Sequence, residues 1–142
     1  MIKYEFFDDG KLLITSYIGD IDKELIKSYI NFIFTKSNGV NIKKSIADYR
    51  YSNMVFSNKD LEGIAQFRNK LDPEGNHNNT VFLVDTPKES AYVNLISEKY
   101  YKNSHPAKFC STLKKCINIL SLEIDTDELE RRLNELKFEF IE

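Results

Sequence analysis

Glycine is scarce, with five residues in 142, and none of them builds a Gly-rich phosphate loop. That excludes a Walker or Rossmann nucleotide site at the level of sequence, because both need glycine where the backbone wraps a phosphate. Histidine and cysteine are scarcer still, at two each, and neither His77 nor His105 has a second His, Cys or carboxylate at ligand spacing. A metal centre is not expected, nor is any other cofactor. Cys110 and Cys116 stand at apolar positions with no local His partner, so they read as buried structural thiols rather than as a nucleophile or a disulfide. Long apolar runs are missing: the longest is Val81-Phe82-Leu83-Val84, far short of the ~18 residues of a membrane span. The N-terminus also lacks the basic-then-apolar pattern of a secretory signal. Nor is there charge of one sign, since 20 Lys+Arg are interspersed with 22 Asp+Glu for a net charge of −2. Phosphate recognition needs a concentrated positive footprint, so nucleic acid is not expected as a partner. These absences predict a cytoplasmic protein without membrane insertion.

What is present is a regular alternation of strand and helix signals. Residues 2–7 and 11–18 are β-rich runs separated by Asp8-Asp9-Gly10, a hairpin signal, so the chain is expected to open with two antiparallel strands. Gly19-Asp20-Ile21-Asp22 is expected to break the second strand. Leu25, Ile26, Tyr29, Ile30 and Ile33 then follow helical spacing to about Lys36, capped at the start by Asp20 or Asp22 and closed by Ser37-Asn38-Gly39. Residues 45–49 read as a short central strand. Ser57-Asn58-Lys59-Asp60 opens a second helix with Leu61, Ile64, Ala65, Arg68 and Leu71 on one face, and Thr80 to Asp85 suits a strand covered on both faces. Thr86-Pro87-Lys88-Glu89 is a capping box with proline at the first helical position. Pro106 ends the connection to a last strand at Ala107 to Cys110. A helix carrying Leu113, Cys116, Ile117 and Leu120 follows, and Asp125 with Glu128 caps a fifth helix seamed by Leu129, Leu133 and Leu136. The order ββαβαβα plus a C-terminal helix predicts a layered α/β sheet whose later strands are parallel. At this length one domain buries about 68–70% of its unfolded surface. Residues 1–142 are expected to form one domain, with 123–142 as a C-terminal helical and tail extension. Phe138, Phe140 and Ile141 alternate with Glu139 and Glu142, as an edge strand or a docking tail would.

Three landmarks carry a resemblance. They are the turn Gly19-Asp20-Ile21-Asp22 before the first helix, Ile46-Ala47-Asp48 as an apolar strand ending in Asp, and Ala107-Lys108-Phe109-Cys110 followed by Leu113 to Leu122. Over roughly residues 10–122 the chain resembles the STAS-like superfamily, the fold of bacterial anti-sigma-factor antagonists, and in particular its divergent branch of small stand-alone bacterial proteins. Cys116 stands where that family has a small residue, and Leu120 where it commonly has Trp. The resemblance implies a STAS-like (SpoIIAA-like) mixed sheet of about five strands, with an N-terminal antiparallel hairpin, later parallel strands and four to five helices. It implies a non-catalytic regulatory or binding role. In phosphorylatable members an Asp-Ser-Ser-Gly motif follows the central strand. Here the corresponding stretch is Met54-Val55-Phe56-Ser57-Asn58-Lys59-Asp60, without the Gly or the preceding Asp, and Ser57 is its only candidate phosphoacceptor. At the level of architecture the branch also resembles the lipid-binding CRAL-TRIO fold, which implies a cavity for a small apolar ligand as the alternative.

The segment after the central strand is where open α/β sheets bind ligands. Its candidate contacts are Asp48, Tyr51, Asn53, Met54, Phe56 and Asn58, for an unidentified protein partner or a small apolar ligand. Each has a plainer reading. A serine three residues before Asp60 is what helix capping selects, a strand-terminal Asp ordinarily accepts backbone N–H bonds, and loop aromatics often fold back over a sheet edge. Tyr92, Tyr100 and Tyr101 offer interface or core-rim aromatics. The leucine seam could form a homodimer or pack on the chain's own sheet. Asp48, Asp85 and His105 are the groups that would have to converge in a pocket for catalysis.

Overall fold

The computed structural model describes residues 1–36, 42–73, 79–96, 98 and 108–142. Among them are six strands, β1 (Ile2–Phe7), β2 (Leu12–Ile21), β3 (Lys44–Met54), β4 (Thr80–Leu83), β5 (Lys108–Cys110) and β6 (Phe138–Phe140). Five helices accompany them, α1 (Lys23–Lys36), α2 (Asn58–Leu71), α3 (Pro87–Ile96), α4 (Leu113–Leu120) and α5 (Thr126–Asn134). The strands form one mixed sheet in the order β5-β4-β3-β2-β1-β6. β1 pairs antiparallel with β2 and β6, whereas β2, β3, β4 and β5 run parallel to one another. This is the expected mixed α/β sheet with one strand more. The sixth is the C-terminal Phe-Glu-Phe segment, which pairs along β1 with Phe138 opposite Tyr4 and Phe140 opposite Ile2.

The hairpin forms where expected and with the geometry its twist needs. Asp8 and Asp9 both take positive φ (55° and 57°), and the Gly10 N–H donates to Phe7 O at 3.1 Å, which makes a type I′ turn. The period of two along the strands then divides the sheet's side chains between its faces. Leu13, Tyr17, Ala47 and Phe82 face α1, α2 and α3, meeting Ile26, Ile30, Ile33, Leu61, Ile64 and Val93. Leu12, Ile14, Ile46, Val81 and Leu83 face α4 and α5, meeting Cys116, Leu120, Leu129 and Leu133. Two buried faces explain why the central strands carry apolar runs rather than strict alternation.

Helix starts follow the sequence signals closely. Asp22, not Asp20, caps α1, its Oδ1 accepting the Leu25 N–H at 2.8 Å, and Asp125 caps α5 by accepting from the Glu128 N–H at 2.8 Å. Ser37-Asn38-Gly39, Pro106 and Ala107 lie outside the described residues. At the start of α3, Thr86 Oγ1 accepts from the Glu89 N–H at 3.3 Å and donates its own proton to Glu89 Oε2. Burial pushes the Glu89 carboxyl above the usual glutamate range, and the negative Asp85 adds to the shift. A raised folded-state pKa gives stability that is present in acid and lost as pH rises from the unfolded value of about 4.3 toward the folded one. Glu89→Gln keeps an acceptor for Thr86 and cannot ionise. Its urea midpoint is therefore expected to gain on the wild type as pH rises through that window, and parallel pH profiles would refute the account.

Two expectations need correction. Gly19-Asp20-Ile21-Asp22 does not break β2, which continues to Ile21, and the central strand does not stop at Tyr49 but runs to Met54. The two extensions pair with each other. After a register shift between Ser16 and Ile18, Ile18 stands opposite Tyr51, Asp20 opposite Asn53 and Ile21 opposite Met54. Asn53 Nδ2 donates to Asp20 Oδ1 across the pair at 2.8 Å. Two polar segments thus satisfy each other, so little apolar alternation marks either as strand.

Candidate functional site

The extension carries the expected contact residues beyond the ends of the shorter parallel strands. Its root is Asp48, 1% exposed on the central strand, with Arg50 two residues on. Residues two apart on a strand share a face, which lets Arg50 turn back along it. Arg50 Nε donates to Asp48 Oδ1 at 2.9 Å, Nη2 to Oδ2 at 2.8 Å, and the Arg50 N–H to Oδ1 at 3.1 Å. A bidentate fork with a third backbone donor saturates the carboxylate, and the hydrogen bonds to Asp48 raise the Arg50 pKa above its ordinary value. The Arg50 guanidinium also lies 5.4 Å from the Tyr51 ring centroid, a cation–π distance. Asp48 is thus a positioning group that fixes Arg50, and through it Tyr51. Asp85 acts on Arg50 only as a neighbouring charge. His105, the third group of the catalytic alternative, lies outside the described residues, as do His77, Tyr100 and Tyr101.

The other side chains separate by burial. Met54 and Phe56 (9% exposed) belong to the core under α1 and α2, whereas Tyr51 is 61% and Val55 77% exposed. Phe56 is held by its N–H donating to Tyr92 Oη at 3.0 Å and by the Tyr92 ring, 5.5 Å away between centroids. Tyr92 therefore braces the segment from inside. Ser57 is the N-cap of α2: its Oγ accepts from the Asp60 N–H at 3.1 Å, while Asp60 Oδ2 accepts from the Ser57 N–H at 3.0 Å. That reciprocal bond, with the side-chain bond from Ser57 and the nearby Lys23 ammonium, lowers the Asp60 pKa. A carboxylate thus already stands beside Ser57 at the positive end of α2. Asn58 is the exposed first residue of the helix.

Between the starts of α1 and α2 lies an open cleft of about 570 Å³, lined among others by Asp20, Asp22, Glu24, Asn53, Val55 and Asp60. Lys23 is the cation of this rim and is engaged by Asp60 at 3.4 Å and Glu24 at 3.7 Å. Sequence reasoning missed Val55 and this acidic rim. The alternation Met54-Val55-Phe56, buried-exposed-buried, was the signal for Val55; the rim joins residues from two helix starts and one strand and has no linear signature.

Beneath the helices, between the sheet and α1, a cavity of about 60 Å³ is walled by Tyr29, Ile33, Ala47 and Phe82, with the Thr15–Tyr29 hydroxyl pair at 2.6 Å beside it. Burial drives the Tyr29 pKa upward, so its phenol stays protonated. Sites for drug-sized ligands run to about 300–1,000 Å³; this space has room for a few waters and not for a lipid. The Leu129, Leu133 and Leu136 seam is buried against Leu12, Ile14 and Ile46 of the chain's own sheet, so it is not a free homodimer surface. Among the described residues, no group of three or more His, Cys, Asp or Glu is placed to hold a metal, and no helix is long and apolar enough to cross a membrane.

No family model matches the chain, and no curated protein does. Among solved structures the fold is similar to that of an uncharacterized protein of the DUF3478 family, with a SpoIIAA-like fold, from Shewanella loihica. The TM-score is 0.55 at 12% identity, over 84% of this chain and 92% of that one. The unphosphorylated anti-sigma factor antagonist SpoIIAA aligns with a TM-score of 0.48 at 10% identity, over 95% of this chain and 99% of SpoIIAA. The chain has a SpoIIAA-like α/β fold, the fold its sequence landmarks imply.

Proposed function

We propose that this protein is a non-catalytic binding module that captures a protein partner at the outer end of β3 and the start of α2. The observation that carries the reading is the exposed Val55 in the acidic cleft, with the exposed Tyr51 on the strand that leads into it, at the carboxyl end of parallel strands. Solitary exposed apolar residues are ordinary; here Val55 lines the cleft, and Tyr51, on the strand extension that leads to it, has its ring beside the Arg50–Asp48 ion pair. Asp20, Asp22, Glu24 and Asp60 against Lys23 leave the rim net negative. The partner chemistry that fits is an apolar segment flanked by Lys or Arg. Ser57 serves as the cap of α2 rather than as a phosphoacceptor, because Asp60 already supplies the anion there. Carriage of a lipid receives no support from a 60 Å³ cavity.

The test is capture from extracts of the source cells by the immobilised chain. Tyr51→Ser with Val55→Ser should lose the bound protein while changing unfolding free energy by less than about 1 kcal/mol, since both side chains are exposed. Capture by the wild type should weaken with added salt, as exposed charge pairing requires. Phe56→Ala is the contrast: it empties a core position and loses capture only together with stability. Undiminished capture by the double variant would remove this surface from consideration.

A further inference from the structure

On the opposite face of the sheet, the only two cysteines of the chain meet. Cys110 ends β5, the backbone turns through Ser111 and Thr112, and Cys116 lies one turn into α4, where the helix packs back on β4 and β5. Both cysteines lie in one buried cluster, their sulfurs near enough to act on each other's protons, and the Cys110 thiol donates to Thr112 O at 3.6 Å. We propose that Cys110 is a redox modification site, oxidised by hydrogen peroxide to a sulfenic acid that Cys116 converts to an intramolecular disulfide joining β5 to α4.

The surroundings assign the two roles. Cys116 is wholly buried and Cys110 is 7% exposed, so an oxidant meets Cys110 first. The Cys116 side chain pulls the Cys110 thiol down from its ordinary pKa, helped by the Thr112 backbone, the Arg50 guanidinium and the Lys115 ammonium. The same pairing, with burial, pushes Cys116 up. Exposure and the flanking Arg50 and Lys115 cations favour Cys110 as the sulfur that attacks, with Cys116 held behind it in the same cluster. In the first step the Cys110 thiolate attacks a peroxide oxygen, the O–O bond breaks, and hydroxide leaves to take up a proton as water. In the second the Cys116 sulfur attacks the Cys110 sulfur, the S–O bond breaks as S–S forms, and the Cys116 proton leaves with the hydroxyl as a second water. Two thiols and one peroxide give one disulfide and two waters.

The experiment treats the purified full chain with hydrogen peroxide, quenches it, and reads intact mass with alkylation under denaturing conditions. A monomer lighter by two hydrogens, closed to alkylation and restored by dithiothreitol, is the expected result. Cys116→Ala, a small apolar replacement at a buried site, should accumulate a sulfenic acid on Cys110 that dimedone traps, and Cys110→Ala should trap none. A wild-type chain that keeps both thiols alkylatable after peroxide would overturn the proposal. So would over-oxidation at Cys110 without a disulfide, or a disulfide between two chains.

Discussion

Arg50→Ala is expected to lower the free energy of unfolding by about 3–5 kcal/mol, because it leaves a buried carboxylate without its cation. Asp48 is 1% exposed, with both oxygens committed to the Arg50 guanidinium, one also accepting the Arg50 N–H. The reverse deletion should cost less. In Asp48→Asn the arginine side chain, 20% exposed, can turn its charge to solvent, and the amide still offers an oxygen to the backbone N–H. Replacing both residues with apolar ones of similar volume should recover most of the loss, as buried ion pairs commonly do when removed whole. Urea titrations of the three variants decide the matter through the midpoint at unchanged slope. Equal costs for the two single changes would show that the pair is solvated and that desolvation does not set its energetics. Because Arg50 also lies under the Tyr51 ring, Arg50→Ala should in addition weaken partner capture beyond what its loss of stability explains.

The elements that reasoning from sequence placed correctly are those whose start has a local chemical cause. Asp22, Ser57, Thr86 and Asp125 each accept a backbone N–H three residues on, and each marks a helix start within the sequence itself. The Asp-Gly turn and the doubly covered β4 are equally local statements. What escaped detection depends on partners distant in sequence. The outer half of β3 is polar, and its reason for being a strand is the equally polar end of β2, more than 30 residues earlier, with Asn53 bonded to Asp20. The site followed the same rule. A loop would let Tyr51, Met54 and Phe56 share one surface, whereas the strand sends Met54 into the core and leaves Tyr51 outside, with Val55 exposed next to buried Phe56. Ser57 kept the role that capping predicts, since Asp60 closes the box from the other side.

Leu129→Ala is the second large expectation, at about 2–5 kcal/mol, and it tests whether residues 123–142 are an appendage or a wall of the core. Leu129 is fully buried in one cluster with Leu12, Ile14, Ile46 and Val81, the residues that would face water if α5 were absent. Around it the segment is fastened at several points. Arg132 stacks on Phe7 at 4.5 Å, Lys137 pairs with Glu5 at 3.2 Å, and β6 closes the sheet along β1. A rigid surround relaxes little into the space that a lost side chain leaves, which places Leu129→Ala toward the upper part of that range. Were the seam instead a contact between copies, the same substitution would alter oligomeric mass and leave the monomer's unfolding unchanged. Removal of 123–142 extends the argument: it uncovers the apolar face of β2, β3 and β4 and strips Glu5 of its cation, so the shortened chain should lose its cooperative thermal transition. A shortened chain that still melted cooperatively near the wild-type temperature would show that α4 alone covers that face.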